Sequence, residues 1–569
     1  MAARERLILI GATLVAGASR IVAMARTPWD WDELLFMLAL NRYDVASHHP
    51  HPPGFPLFIL AAKVIRKLGL GNFHALQALN TIAAILVVPA MFALCRALGM
   101  RFWTSLSAGM ILAFFPNVWF FGGSAFSDVP SMVLVIVAVA LLLRGHLLTG
   151  AAVLAVAAGF RPQNLVIGLA PLAIAAWQQK RRAPFAAAII AAIVGASYGT
   201  AAWLTGWTRY RTAVDQHSTY ITITDSFRAP GRPALWRLVD DFFVHPYNAP
   251  LINTIVTLLV VLSLIVSLAM RRRHVLVALA AFGPFCLMAL LFLDHFSSSR
   301  FSIGYAPLLA LLAADGLALA ARRFEPVAAA IVVAVMIGWT WPVLDGLRHS
   351  VSPPVAAVDW LRNHADPRVS VIYVDSSLIP YAEWYLPEYR LRFMLEAPPA
   401  AWVLQHGFYL QEGASNAERA VNFIRPRGRL WELVRQRYFE ASVRPLAERV
   451  IFGSGWYEEE GDGKEVWRWM GARSVAELPR VAGDARLGLA VYVPLDALPA
   501  PPTVTVRVNG EVVDRFTPSK SLVAREIEVH ARAGAANELV IETDRVVPTP
   551  DDGRTLGLRL NAIGWTPRD

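Results

Sequence analysis

Between residues 1 and 347 the chain repeats one kind of segment, an apolar run about as long as a lipid bilayer is thick. A helix needs about twenty apolar residues to cross the hydrocarbon core. Runs of that kind occupy 6–25, 74–96, 102–121, 129–147, 184–206, 250–270, 275–294, 301–321 and 326–346. The run 150–177 is interrupted by Phe160-Arg161-Pro162-Gln163-Asn164, so it reads as two short spans joined by a polar bend. Backbone broken at membrane depth is tolerated only where it faces protein or a wet cavity. The expectation is a polytopic α-helical membrane protein of about eleven transmembrane spans. Composition agrees, with 56% hydrophobic and 17% charged residues, against about 45–50% and about 25% in soluble chains.

Charge sets the expected orientation. The net charge of +10 forms no single stripe, so it does not point to a nucleic-acid partner; it falls in short groups between apolar runs, where the bilayer is the partner. Arg4 and Arg6, Arg96 and Arg101, Arg144, Lys180-Arg181-Arg182, Arg271-Arg272-Arg273 and Arg322-Arg323 all land on one side when 150–177 counts as two spans. That side is expected to be cytoplasmic. The loop around Asp32, the segment 207–249 and everything after residue 347 then lie on the other face. The N-terminal run reads as a retained first helix rather than a cleaved signal. The stretch 55–68 is too short and too basic to span and suits an interfacial amphipathic helix. Cys95 and Cys286 both sit in apolar runs and read as packing residues.

Beyond the apolar region (1–347) the sequence becomes that of a water-soluble protein. Residues 348–444 read as an α/β segment, with a helix from Val355 to His364, a strand from Val369 to Val374 and a helical pattern around Ala417 to Tyr438. Residues 445–569 read as a β-sandwich, jelly-roll-like. Alternating stretches such as Gly488 to Val493, Thr503 to Val508 and Glu538 to Glu542 recur there between turns at Asn509-Gly510 and Asp551-Asp552-Gly553.

Chemistry concentrates between Pro28 and Leu57, which holds Trp29, Trp31, Asp30, Asp32, Glu33, His48, His49 and His51. The tryptophans suit an aromatic belt at the membrane surface. Asp32 and Glu33 precede a helical pattern and could cap it; alternatively, one carboxylate deprotonates an acceptor hydroxyl while its neighbour orients the site. Asp128, in Ser127-Asp128-Val129-Pro130, is a second acid at the same membrane face, and two acids meeting there is the stronger signal. The histidines of His48-His49-Pro50-His51 are too close, and too interrupted by proline, to face one ion together. A structural or substrate-contact role is therefore expected for His51, and no residue is assigned to a metal. A divalent ion held by Asp30 with His51 stays open on the sequence alone. Aromatics interleave with polar groups from Trp207 through Tyr210, Asp215, His217, Tyr220, Asp225, Arg228 and His245 to Tyr247. That pattern suits either a sugar-binding cover or an ordinary wet loop. His217 and Tyr220, with Trp31, are its candidate substrate contacts. Trp456 to Glu460 and Trp467-Arg468-Trp469 read as hairpin packing rather than a binding platform.

An acidic pair after the first span, followed by His51-Pro52-Pro53-Gly54-Phe55-Pro56, resembles the GT-C superfamily of integral-membrane glycosyltransferases. The likeness is greatest to the branch of protein O-mannosyltransferases and lipid A aminoarabinose transferases. Phe126-Ser127-Asp128-Val129-Pro130 resembles the acidic motif after the third span, and Gly159-Phe160-Arg161-Pro162 the polar break between paired short helices. Ser299-Arg300-Phe301-Ser302-Ile303-Gly304-Tyr305-Ala306-Pro307 resembles the R-Y-x-x-P-x-x-P start of a late span, with Phe301 in place of the usual tyrosine and a shifted proline. The resemblance covers residues 1–345.

It implies transfer of a sugar from a polyprenyl-phosphate donor to a glycan, lipid or protein acceptor on the extracytoplasmic face, usually with inversion. By the resemblance, Asp32 matches the catalytic base, Glu33 its companion, Asp128 a further site carboxylate and Arg300 a donor-phosphate contact. Arg161 could serve the donor or satisfy the bend. Some members of the superfamily use a divalent ion. The bacterial character of the resemblance implies a plasma (inner) membrane, with the C-terminal domain outside. Independently, a phosphate leaving group calls for a cation more than a strong acid, and a guanidinium supplies one bidentately. An arginine at a membrane edge can also simply snorkel. Two other readings compete. A transporter or flippase would need charges near the midplane and repeat symmetry, neither of which the sequence displays. A non-catalytic assembly or glycan-recognition subunit would make the sandwich the working part.

Overall fold

The computed structural model describes residues 2–367, 370–394, 407–416, 420–425, 440–445, 450–461, 466–481, 483–549 and 552–567. It divides into two compact units, Met1–Ala356 with Ile424–Glu440, and Ala357–Phe423 with Ala441–Asp569.

The first unit is helical. In chain order come α1 (Ala3–Val22), α2 (Trp31–Asn41), α3 (Pro56–Arg66), α4 (Asn72–Ile85), α5 (Val87–Ala97), α6 (Phe102–Phe114), α7 (Pro116–Gly122), α8 (Asp128–Leu143) and α9 (Leu147–Phe160). They are followed by α10 (Asn164–Gln178), α11 (Ala183–Thr205), α12 (Trp207–Thr224), α13 (Leu235–Val239), α14 (Pro250–Ala269), α15 (Arg273–Phe292), α16 (Ser298–Phe301), α17 (Ala306–Ala321) and α18 (Glu325–His349). Five stretches are long and apolar enough to cross a membrane: Asn72–Ala97, Ala183–Thr205, Pro250–Ala269, Arg273–Phe292 and Ala306–His364. The pair α6 and α7 makes a sixth if it is one span. A multi-pass membrane protein follows. Three of the expected spans are shorter apolar helices, α8, α9 and α10. The bend that divides α9 from α10 falls at residues 161–163, where the sequence places it. Helix α8 is apolar nearly all round and correspondingly buried on every face.

Two expectations need correction in this unit. The run 102–121 is not one helix. Pro116 lacks an N–H and disfavours helical geometry at the residue before it, so Phe115 leaves the helix at ψ 131° and α7 departs at 61°. The segment 207–249 is not a loop either, since its first eighteen residues form α12.

Close packing fixes α17. Gly316 lies so near α14 that a Cβ there would come within 2.8 Å of the Leu259 carbonyl carbon, the kind of small-residue contact that lets membrane helices approach. Next to it, Asp315 is buried inside an apolar helix, and its charge is met on three sides. It accepts from Ser263 Oγ (2.8 Å), Arg272 Nη1 (2.7 Å) and His274 Nε2 (3.0 Å). Arg20 of α1 is fully buried too, its guanidinium over the rings of Phe114 and Trp119 and donating to the Ala113 carbonyl at the end of α6.

The second unit is β-rich. A helix, Pro353–His364, leads into it where the sequence expects one. A mixed five-stranded sheet follows, in the order Arg390–Met394, Val371–Asp375, Gly407–Glu412, Glu440–Pro445, Val421–Ile424, with the first three strands parallel. Val421–Ile424 is therefore a strand where a helical pattern was expected; the remainder of that pattern, like Val369, lies largely outside the described residues. Beyond it stand two antiparallel five-stranded sheets. One runs Leu522–Val529, Ala485–Tyr492, Arg559–Pro567, Val466–Met470, Trp456–Gly461; the other Glu511–Phe516, Val504–Val508, Asn537–Thr543, Arg473–Leu478, Ile451–Phe452. Alternate residues such as Leu487, Leu489, Val491, Val504, Val506, Leu539 and Ile541 fill the space between them, as period-2 patterning requires of a sandwich. Asn509 and Gly510 both take positive φ (53° and 89°) in the two-residue turn between strands, which is what an Asn-Gly hairpin supplies. Trp456 packs on this core, and Trp467 Nε1 donates to Glu460 across a hairpin.

Candidate active site

The site begins with a helix cap. Asp30 is the N-cap of α2, and its carboxylate accepts from the Asp32 N–H at 3.0 Å. Three residues on, Glu33 reaches back to complete a capping box, accepting from the N–H groups of Asp30 (3.1 Å) and Trp29 (2.7 Å). Its other oxygen accepts from the Ala125 N–H at 2.8 Å. Glu33 is fully buried and so ties the start of α2 to the segment that leads into Asp128. Helix α4 binds the same two segments from behind. Gln77 Nε2 donates to the carbonyls of Ala25 (2.7 Å) and Gly123 (2.8 Å), and Asn80 Nδ2 to that of Ser124 (2.6 Å).

This frame brings Asp32 and Asp128 to one guanidinium. Arg300, in α16, donates through Nη1 to Asp32 Oδ2 and through Nε to Asp128 Oδ2 at 3.1 Å. Arg161, from the bend between α9 and α10, pairs with the other oxygen of Asp128. The Arg300 guanidinium lies over the ring of Phe126 at 4.7 Å, and that of Arg161 over Phe55 at 5.8 Å. Asp32 has the most open side chain of the four, 18% exposed against 5% for Asp128.

His51 completes the cluster, with Nδ1 at 3.4 Å from Asp32 Oδ1 and its ring packed against Phe55 and Phe36. A tight turn sets its position. The Gly54 N–H donates to the His51 carbonyl (3.0 Å), and Tyr43 Oη donates to the Gly54 carbonyl (2.8 Å). Gly54 has φ 113°, and a Cβ there would press on Val45 at 2.8 Å and on Tyr43, so only glycine fits. Helix α12 docks on this loop through Arg209 to Asp44 (2.9 Å) and Tyr210 Oη to the Pro53 carbonyl (3.0 Å). The His217 ring then stands 6.2 Å from that of His51, with Tyr220 stacked on its outer side.

Of the residues singled out by sequence, Asp32, Asp128, Arg161, Arg300 and His51 thus form one cluster, with His217 beside it. Tyr220 lies farther out and is 54% exposed. Trp31 is the half-buried first residue of α2. Trp29 is 1% exposed, a packed residue rather than part of a lipid-facing belt. Gln77, Asn80, Asn117, Asp44 and Arg209, which hold these parts in register, were missed. The only signals for the first three were an amide pair at i, i+3 in an apolar run and an asparagine following a proline.

A resident divalent ion does not fit these residues. Asp30 is occupied as a cap, His51 faces Asp32, and Asp32 and Asp128 already share a guanidinium. Among the described residues no three His, Cys, Asp or Glu side chains gather to hold a metal.

Burial alone would push Asp32 up, but His51 and the guanidiniums of Arg300 and Arg161 overcome it and hold the carboxyl well below the usual carboxylate range. Burial also pushes His51 down to about 4, against the pull of Asp32. At neutral pH the imidazole is therefore uncharged, and the two arginines are what keep Asp32 ionised. Protonation of His51 is favoured less in the folded protein than in the unfolded one, so its penalty appears only as pH falls from the ordinary histidine range toward about 4. Any activity that needs ionised Asp32 and neutral His51 is expected to keep a constant kcat/KM from about pH 7 to about pH 5. A kcat/KM profile with its acid limb near the ordinary histidine value would contradict this. The arrangement can do two things: take a proton at the open edge of Asp32, and receive an anion on a preset pair of guanidiniums.

No family model and no curated protein matches the chain. Solved structures do resemble it in fold. The oligosaccharyltransferase of Archaeoglobus fulgidus, in complex with zinc and sulfate, is 9% identical, with 97% of this chain and 98% of that chain covered and a TM-score of 0.44. ArnT of Cupriavidus metallidurans bound to undecaprenyl phosphate is 13% identical, with 78% and 98% covered and a TM-score of 0.48. The arabinosyltransferase EmbB of Mycobacterium smegmatis is 11% identical, with 98% and 64% covered and a TM-score of 0.37. Likeness of this size gives no residue a role.

Proposed function

We propose that this chain is a GT-C-type membrane glycosyltransferase that moves a sugar from a polyprenyl-phosphate donor to an acceptor on the extracytoplasmic face. The observation that carries the reading is the single guanidinium of Arg300 joining Asp32 and Asp128, with Arg161 on the far oxygen of Asp128. Asp32 takes the proton of the acceptor hydroxyl on its open side. The acceptor oxygen bonds to the anomeric carbon as the bond from that carbon to the phosphate oxygen breaks, and the electron pair leaves with the phosphate. Arg300 and Arg161 receive that charge without having to reorganise. One displacement of this kind inverts the anomeric centre. Glu33 acts as a positioning residue, since its oxygens are engaged by backbone N–H groups. His51, His217, Tyr220 and Trp31 are the sugar contacts in this reading.

In this reading residues 1–347 carry the transfer, and the segments 348–444 and 445–569 extend from it on the outer side of a bacterial plasma membrane. The test is donor consumption. Purified full-length protein is mixed with a panel of polyprenyl-phosphate sugars, with cell extract added as a source of acceptors, and released polyprenyl phosphate is measured. Consumption of one donor is the expected result. If every donor survives with extract present, the reading fails.

A further inference from the structure

The break between α6 and α7 does more than bend a span. It turns the second residue of α7, Asn117, into the protein, where it is 2% exposed. Asn117 Oδ1 accepts from the Val118 N–H at 2.9 Å, which fixes the way the amide faces. Its Nδ2 then gives both hydrogens to one short turn, donating to the Ser299 carbonyl at 2.9 Å and to Ser302 Oγ at 2.8 Å. Ser302 Oγ closes the triangle by donating to the same carbonyl at 3.0 Å. The two residues enclosed by this turn are Arg300 and Phe301.

We propose that Asn117 is a positioning residue for Arg300, holding the backbone of the Ser299–Ser302 turn so that the guanidinium reaches Asp32 and Asp128 together. An arginine side chain has many rotamers to choose from, and two bonds to side chains on two other helices are not made by a backbone free to move. With the turn clamped and the guanidinium laid over Phe126, the cation stands ready before any ligand arrives. Asn117 touches neither carboxylate and acts only through Arg300. The significance for catalysis rests on the function proposed above; the geometric claim does not.

Two readouts therefore test it. The first needs no turnover: the carboxylate infrared band that disappears in Asp32→Asn is titrated in wild type, Asn117→Ala and Ser302→Ala. Loosening Arg300 is expected to move the protonation of Asp32 to higher pH, by about one pH unit in Asn117→Ala and by less in Ser302→Ala, which loses the serine's own bonds but keeps that of Asn117 to the Ser299 carbonyl. The second is donor turnover, where kcat/KM is expected to fall about 10- to 100-fold in Asn117→Ala, the scale of a misplaced catalytic group. Simple loss of folded protein would lower the rate without moving the titration. An Asp32 titration that stays at its wild-type position in both variants overturns the proposal, whether or not donor is consumed. Should Asn117→Ala fail to fold, the Asp32 titration in Ser302→Ala decides alone, a shift supporting the proposal and a wild-type position overturning it.

Discussion

Asp32→Asn is expected to lower donor turnover about 10²- to 10⁴-fold, the range a positioned general base supplies, with the fold retained. The amide has nearly the shape of the carboxylate and its oxygen can still accept from Arg300, but it takes up no proton. Stability should fall less than in a fully enclosed pair, for two reasons. Arg300 keeps Asp128 as a counter-charge, so no guanidinium is stranded, and Asp32 is open enough for water to reach the substituted group. Breaking a fully enclosed pair would cost about 3–5 kcal/mol; the loss here should stay nearer the value of one charged hydrogen bond, about 1.5–3 kcal/mol. Released polyprenyl phosphate and thermal unfolding in detergent, measured on the same preparations, check both parts. Wild-type turnover in this variant would remove Asp32 from the chemistry.

Glu33→Ala should do the reverse, damaging the fold first. The carboxylate accepts from three backbone N–H groups, and all three would be left without it in a buried place. A buried donor deprived of its partner costs about 1–3 kcal/mol, so three together amount to several kcal/mol, a large share of the stability of an ordinary domain. Burial pushes Glu33 up to about 8, and the three N–H groups work against it, so most of the population carries a proton at neutral pH. Glu33→Gln should fall in between, because its one oxygen still accepts while its NH₂ is aimed at a donor. The expected order of melting temperatures is wild type, Gln, Ala. Unchanged melting with lost turnover in Glu33→Ala would instead return Glu33 to a direct chemical role.

Sequence reasoning went furthest where a residue's type is costly for its surroundings. A carboxylate or a guanidinium at the end of an apolar run demands a partner, and Asp32, Asp128, Arg161 and Arg300 prove to be one another's partners. Periodicity likewise exposed the sandwich strands, and a polar interruption in an apolar run the bend at Arg161. It failed where the decisive contact is between backbone and side chain. Asp30 and Glu33 look like chemistry in the bare sequence, yet three of the bonds they make are those of a helix cap. The kink at Pro116 was hidden because 102–121 passes as one long apolar run, and hydropathy counts composition without noticing one missing N–H. In α12, nothing in the spacing of polar residues said that Arg209 and Tyr210 would hold it against the loop that bears His51.

The way α17 is held has a consequence for how substrates must arrive. The turn carrying Arg300 sits just ahead of it, and about 14 Å further along, at 1.5 Å per residue, Asp315 ties it to Ser263, Arg272 and His274 while Gly316 lies flush with the backbone of α14. A rod fastened at two points neither slides nor rolls. Alternating access works by rocking such elements past one another, and here it would have to tear apart buried ion pairs on every cycle. In the proposed reaction Arg300 is thus mounted on a stationary frame, and it is the lipid and the acceptor that do the travelling.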